Sequence, residues 1–390
     1  MRIVHILQGK ANPNTLNGVN RALHEMATYQ MRLGHKVEIW GLSASRTLPP
    51  HEHVYSLRVF LVTRLRVTLS RELKDALAAL EPGAWVHFHS VFIPEFPAIA
   101  KRLRRRGIAY GVTPHNGYAQ GVFRKNPWKK HLYFVLREAI YLRNAAWFQA
   151  VAEAEIRDIR AIAPRAQVVL IPSGQELLSA SPAIPSGSVE RPLIGFCGRL
   201  DQYVKGLDYL LDGFAAFKEK GGKGELWLIG DGEDRGQLEK RAAGLGGLAQ
   251  LRFLGARYGE EKLGLIAGFD IFVLCSRWEG LPMGCLEAAS LGIPLFVSRE
   301  TNLAEYVEQN GAGVVLEEST AMGVERALER IQKLHEAGQL QGMGANARRL
   351  IEEQFQWEKN AASFIRAIVG PYQLSQTQPL PVSVKISQYN

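Results

Sequence analysis

Cysteine is scarce in this chain. Three residues in 390, Cys197, Cys275 and Cys285, form an odd set without a C-x-x-C spacing. That excludes a disulfide framework and a cysteine-based zinc site, and each thiol sits in or beside an apolar run, as buried thiols do in a reducing compartment. Long apolar runs are missing too. No stretch approaches the roughly 18 residues of a membrane-spanning helix, and Met1–Gln8 is too short and too polar at its end for a secretion signal. The expectation is a cytoplasmic protein, able to lie on the inner face of a membrane as a peripheral protein but not to cross it. Acidic residues are thin in one half only: residues 1–175 hold 25 Lys and Arg against 11 Asp and Glu, whereas 176–390 hold 22 against 27. A half of charge +14 is therefore joined to one of −5, and nine of the ten histidines lie in the basic half, His335 being the exception. The net +9 points to an anionic partner, which composition leaves open among nucleic acid, an anionic membrane and a phosphorylated substrate.

What is present is an ordinary globular balance, 46% apolar and 22% charged, which excludes disorder as the dominant state. At about 150 residues per domain the length suits two to three domains. Short β-rich apolar runs alternate with segments of helical period, the pattern of parallel sheets with crossover helices. Strands are expected near Arg2–Gln8, Lys36–Gly41, Leu57–Val62, Ala84–His89, Ile108–Thr113, Trp147–Val151 and Gln167–Ile171. A proline-rich break follows. The alternation resumes at Leu193–Cys197 and runs through Glu225–Ile229, Gln250–Leu254, Asp270–Cys275, Pro294–Ser298 and Gly313–Leu316. The fold class is α/β, two Rossmann-like doubly wound domains in tandem: residues 1–172, a linker at 173–192, and 193–355. A closing helix at 356–370 is expected to pack back toward the first domain, followed by a loosely held tail at 371–390.

In open α/β sheets ligands bind beyond the carboxyl ends of strands. After the first strand, Asn17-Gly18-Val19 opens a helix, where a glycine admits an anion to backbone N–H groups or simply makes a turn. After Leu193–Cys197 comes Gly198-Arg199…Lys205-Gly206. A guanidinium that can bind bidentately and a compact ammonium, at the mouth of a strand, suit a diphosphate without a metal; two solvated cations are the plain alternative. Gly230-Asp-Gly232 ends the next strand and fits close packing on a nucleotide or a simple turn. After Asp270–Cys275, Glu279 and Glu287 flank Gly280-Leu281-Pro282-Met283-Gly284, one before a helix and one a turn inside it. Carboxylates so placed accept hydrogen bonds from vicinal hydroxyls while helix-start N–H groups face phosphates. Glu287 lies among Leu286, Ala288 and Ala289, and a carboxylate in apolar surroundings needs partners.

Taken together, Gly198-Arg199…Lys205-Gly206, Gly230-Asp-Gly232 and Glu279…Glu287 resemble the donor half of the GT-B retaining glycosyltransferases, family 4. Gly34-His35-Lys36-Val37 is similar to the family's Gly-His-x-Val step, and the resemblance extends over nearly the whole chain. It implies two Rossmann-like domains facing each other across a cleft, the first binding the acceptor and the second the nucleotide sugar. By the same resemblance Arg199 and Lys205 would bind the donor diphosphate, with Gly18 and Gly230 beside it. Glu287 would bind the ribose hydroxyls, and Glu279 the transferred sugar near its 3-hydroxyl, with Leu281, Pro282, Met283 and Gly284 alongside. His115, in Thr113-Pro114-His115-Asn116 at a strand's end, would contact the sugar 6-hydroxyl or polarise the reacting region, so His115 and Glu279 are the candidate catalytic residues. Two positions depart from the family pattern: Asn17-Gly18 stands where Gly-Gly is common, and Asn116 where Asp is frequent.

The resemblance further implies retention of anomeric configuration, with the departing diphosphate helping to deprotonate the acceptor. No D-x-D-like motif ends a strand, so no metal and no cofactor is expected; the nucleotide sugar, UDP-glucose as first choice, is a substrate. Lys101–Arg106 and Arg124–Lys130 gather cations, and the second cluster runs into Leu132–Val135 and Tyr141-Leu142. That stretch fits the edge of an anionic membrane, or equally a solvated helix with core aromatics. The expected partner is a saccharide or lipid-diphosphate-linked saccharide in cell-envelope or exopolysaccharide synthesis. A sugar-nucleotide 2-epimerase shares the two-domain architecture, and a nucleic-acid-binding protein would also use a basic half, although no nucleic-acid motif accompanies it.

Overall fold

The computed structural model describes residues 1–12, 18–46, 54–118, 127–184, 189–246 and 249–372. The chain divides into two compact units. The first is Met1–Gly174 together with the segment that begins at Trp357, and the second is Gln175–Gln356.

The first unit holds a seven-stranded sheet of β1 (Arg2–Gln8), β2 (Lys36–Ser43), β3 (Ser56–Leu61), β4 (Trp85–His89), β5 (Tyr110–Thr113), β6 (Trp147–Ala150) and β7 (Val168–Leu170). Its order is β3-β2-β1-β4-β5-β6-β7, and every neighbouring pair is parallel. The second unit orders β8 (Leu193–Cys197), β9 (Glu225–Ile229), β10 (Leu251–Gly255), β11 (Ile271–Leu274), β12 (Leu295–Ser298) and β13 (Gly313–Leu316) as β10-β9-β8-β11-β12-β13, again all parallel. Both sheets reverse direction beside their first strand. The loops after β1 and β4, and after β8 and β11, therefore flank the switch points where ligands bind in such sheets.

The strands read as continuous apolar runs because helices cover both faces. Ile194, Phe196, Leu226, Leu228, Phe272 and Val273 lie wholly within the second core. In the first unit one sheet face packs under the helices Arg71–Ala78 and Phe96–Arg105, and the other under Gly18–Arg32 and Trp357–Tyr372. The last helix places Trp357, Phe364 and Ile368 in the core with Ile3, Leu7, Trp85 and Trp147.

Differences from the sequence expectations have local causes. Strand β5 starts at Tyr110 rather than Ile108, because the Ile108 N–H bonds back to the Leu103 carbonyl at 3.0 Å and closes the preceding helix. The proline-rich segment is not a free linker along its described length. Gln175 donates to the Phe355 carbonyl at 2.6 Å and Ala183 to the Gly264 carbonyl at 2.9 Å, while Arg348 holds the Leu178 carbonyl at 3.0 Å. Its backbone thus finds partners on the second unit without a ladder. Of the expected tail at 371–390, the first two residues belong to the helix Trp357–Tyr372, while 373–390 and the cations Arg124 and Lys125 lie outside the described residues.

Candidate active site

In the second unit several of the predicted glycines mark close backbone approaches. At Gly230, where φ is 144°, a Cβ would fall onto the Gly198 carbonyl oxygen; at Gly284 it would meet the Cys197 carbonyl at 3.1 Å. The loop after β8 is thereby wedged between the ends of β9 and the helix Met283–Ser290. Gly206 takes the left-handed φ of 62° that starts the helix Leu207–Glu219, and a Cβ there would strike the Cys275 carbonyl. Gly206 and Gly230 admit only glycine, and Gly284 leaves a side chain little room.

The loop after β11 is tied to the loop after β8 by several bonds. Arg277 grips Asp208 bidentately at 2.8 and 2.8 Å and donates to the Tyr203 carbonyl at 2.7 Å, and its N–H reaches the Val204 carbonyl at 2.9 Å. Asn302, at a left-handed φ of 56°, donates to the Glu279 carbonyl at 2.6 Å. On this frame Lys205 Nζ pairs with Glu279 Oε2, which also accepts from Ser276 Oγ at 3.3 Å. Two of the predicted residues, one expected on phosphate and the other on sugar, are therefore in direct contact. Glu287 lies on the first turns of the helix Met283–Ser290, its side chain 3% exposed, with both oxygens 2.9 Å from Lys262 Nζ. Lys262 was not foreseen: it sits on a separate helix, Gly259–Ala267, with no spacing relation to Glu287. Arg199 remains largely exposed, 3.3 Å from Asp201. Leu281 and Pro282 lead into Met283 and Gly284, whose N–H groups belong to the helix's unsatisfied first turn.

In the first unit, strained backbone gathers at the carboxyl ends of adjacent strands. Ala11 after β1, Ser90 and Phe92 after β4, and His115 and Asn116 after β5 all have φ between 52° and 77°. Non-glycine residues persist there only where the surroundings over-determine them, and such positions cluster at functional sites. Glu155 is the clamp for His115-Asn116. It is buried, and its carboxylate accepts from the Asn116 N–H at 2.6 Å and the Val151 N–H at 2.7 Å. Burial pushes it up to about 7 against those two bonds.

His115 is not alone. Its Nε2 lies 3.0 Å from His89 Nδ1, His89 Nε2 lies 2.9 Å from His5 Nδ1, and His5 Nε2 lies 2.8 Å from Gln30 Oε1. Beside this row His87 Nε2 meets Thr113 Oγ1 at 2.7 Å. Burial lowers His115 and His5 to about 4 and holds His87 and His89 well below the ordinary histidine value. The signal was present in β4, where His87 and His89 alternate on the inward face of an otherwise apolar strand. Gly18 opens the helix Gly18–Arg32, while Asn17 beside it is outside the described residues. Among the described residues no group of three or more His, Cys, Asp or Glu could hold a metal ion.

Known proteins resemble this chain in sequence and in fold. Residues 183–350 match the family model for glycosyl transferases group 1, and residues 16–177 that for glycosyltransferase family 4. EpsF of Bacillus subtilis (strain 168), named as a glycosyltransferase, is 30% identical over 285 residues, 70% of this chain and 71% of that one. The chain is a GT-B glycosyltransferase. Sucrose-phosphate synthase from Thermosynechococcus elongatus shares the fold of this glycosyltransferase over 96% of this chain and 100% of its own, with a TM-score of 0.78 at 18% identity. Anabaena HepE, solved in complex with UDP-glucose, does so over 95% and 100%, with a TM-score of 0.70 at 16% identity.

Proposed function

We propose that this glycosyltransferase moves glucose from UDP-glucose to a saccharide or lipid-diphosphate-linked saccharide, with retention at the anomeric carbon and without a metal ion or cofactor. The observation that carries the reading is the Lys205–Glu279 contact within the glycine-wedged loops after β8 and β11. Lys205 is the compact charge that a departing diphosphate needs, and Glu279 is held where it can accept from a sugar hydroxyl while steering that ammonium. Arg199, still solvated, adds a second cation at the same strand end, and Gly18 and Gly230 would admit the diphosphate to backbone N–H groups. Glu287, paired with Lys262, would accept from the ribose hydroxyls, and Leu281–Gly284 would line the donor with the first N–H groups of their helix. His115 would meet the 6-hydroxyl of the transferred sugar. Charge stabilisation and positioning of this kind supply the largest share of rate enhancement in group transfer, and no side-chain nucleophile is needed when the leaving diphosphate takes the acceptor's proton. The solved HepE complex supports UDP-glucose as the donor.

The excess positive charge then belongs to the acceptor side. Trp128, Leu132, Leu136 and Ile140 are 52 to 66% exposed along the helical segment 127–142. Next to them lies a groove of about 480 Å³ whose cations are Lys101, Arg102, Arg104 and Arg137. Phe134, Tyr141 and Leu142 of the same segment are core residues, so only part of the aromatic stretch is offered to a surface. An exposed apolar stripe beside cations suits the inner face of an anionic membrane. Among the described residues no helix is long and apolar enough to cross one.

Thermal-shift screening of the full chain against UDP-glucose, GDP-mannose and UDP-N-acetylglucosamine tests the donor, since a ligand of the folded state raises its melting temperature. UDP-glucose is expected to give the largest shift, in excess chelator as in its absence. Transfer should yield an α-linked product by NMR; a β-linked product, or free epimer formed without acceptor, overturns the reading. In vesicle flotation the protein should rise with phosphatidylglycerol-containing but not pure phosphatidylcholine vesicles, and a Leu132→Asp, Ile140→Asp double variant should stay in the dense fraction.

A further inference from the structure

Lys262 stands where its own helix gives it no reason to be. It lies within about a turn of the start of Gly259–Ala267, directly after Glu260 and Glu261. The positive end of the helix dipole favours those two carboxylates and opposes an ammonium. Neither carboxylate offsets this, because residues one and two positions apart do not face each other on a helix, and Glu261 pairs with Arg257 at 3.3 Å. The ammonium goes instead to Glu287, 2.9 Å from both oxygens, with the lysine side chain 18% and the glutamate side chain 3% exposed. Gly259–Ala267 follows β10 and Met283–Ser290 follows β11, so the pair sits where two helices leave the carboxyl ends of parallel strands, the end at which Lys205, Glu279 and Gly230 also lie. As a stabiliser such a pair is poorly chosen, since apolar residues of similar volume usually serve as well or better.

The hydrogen bonding of the pair is not complete in itself. An ammonium carries three N–H groups, and Glu287 engages at most two of them; the remaining one has no acceptor among the described residues. A carboxylate accepts about four hydrogen bonds, so one lysine does not saturate it. The pair thus presents a donor directly beside acceptors. A hydroxyl is the group that uses both, giving its one proton and accepting on its lone pairs. We infer that Lys262 is a ribose-binding residue: Glu287 accepts the protons of the 2′- and 3′-hydroxyls, the remaining N–H of Lys262 donates to one of their oxygens, and together they select a ribonucleotide over a deoxyribonucleotide. The inference rests on the reading above in which Glu287 meets the ribose, and both residues belong to the second unit. A deoxyribose leaves one donor or acceptor of the pair without its partner, and the pair's burial keeps water from replacing it fully.

Isothermal titration calorimetry of the full chain with UDP, 2′-deoxy-UDP and 3′-deoxy-UDP tests this. The parent should bind UDP about tenfold more tightly than either analogue, or better, the scale of one hydrogen bond to a charged group. In Lys262→Met the preference over at least one analogue should shrink by about tenfold. Lys262→Arg keeps a cation with N–H groups to spare opposite Glu287 and should retain the preference, which keeps the test decisive if Lys262→Met does not fold. Equal weakening of all three nucleotides in Lys262→Met marks a structural or purely electrostatic role and overturns the inference, as does equal binding of the three by Lys262→Arg. A parent that binds all three alike overturns it together with the assignment of the ribose to Glu287, and a parent that binds none of them overturns it together with the donor reading. Both results differ from a parent that prefers UDP and a Lys262→Met variant with an unaltered ratio, which removes the role of Lys262 alone.

Discussion

Lys262 and Glu287 show how a residue can be half visible. Glu287 announces itself as a carboxylate among Leu286, Ala288 and Ala289, but its partner is 25 positions away on another helix, and only the fold of the second unit joins them. Removing the cation takes away the opposite charge that both oxygens of this buried carboxylate meet, which typically costs about 3 kcal/mol. Lys262→Met should therefore lower the melting temperature of the second unit by roughly 6 to 12 °C in calorimetry. Lys205→Met is expected to act on rate instead: with the diphosphate's compact counter-charge gone, kcat should fall on the order of 10² to 10³ in an assay saturated with donor. Gly230→Ala combines a forbidden φ with a clash on the Gly198 carbonyl and should destabilise by more than about 2 kcal/mol in urea unfolding. The cations, the glycines and Glu279 were legible because they follow strand ends, and Glu287 because it is a carboxylate in an apolar helix. Glu155 and the histidine row were not, since a buried polar side chain is defined by its partners, and those partners come from four different elements.

At the level of elements, the strands were legible because a parallel sheet covered on both faces needs unbroken apolar runs, and all thirteen lie within about two residues of their expected ends. The π-helical turn Phe134–Glu138 was not, because it carries no sequence mark. The last helix was expected from its period, yet the depth to which it enters the first unit follows from Phe364, which covers His5, His87 and Trp147. Phe364→Ala should cost about 3 to 5 kcal/mol. The loss should appear in tryptophan fluorescence as earlier exposure of Trp85 and Trp147 of the first unit.

For the molecule as a whole, acid is the weak side. His5, His87, His89 and His115 bind protons less readily folded than unfolded, so their contribution is complete above pH 6.5 and is lost progressively as pH falls below it. Glu138 and Glu155, raised by burial to about 7, and Asp158, raised to about 6, act in the opposite sense: their penalty accumulates as pH rises from the ordinary carboxylate range up to those values and is complete above them. Near neutrality the two sets nearly cancel. Below pH 6 the four histidines outweigh the three carboxylates, and the urea midpoint of the first unit should drop between pH 6.5 and 5. The same unit is discontinuous in sequence, for its last helix begins at Trp357, after the whole of Gln175–Gln356. A ribosome must therefore complete the second unit before the first can acquire its cover. Until then the histidine-bearing face of β1 and β4 has only the helix Gly18–Arg32 over it, so the nascent first unit would be the part that chaperones hold while its insert folds.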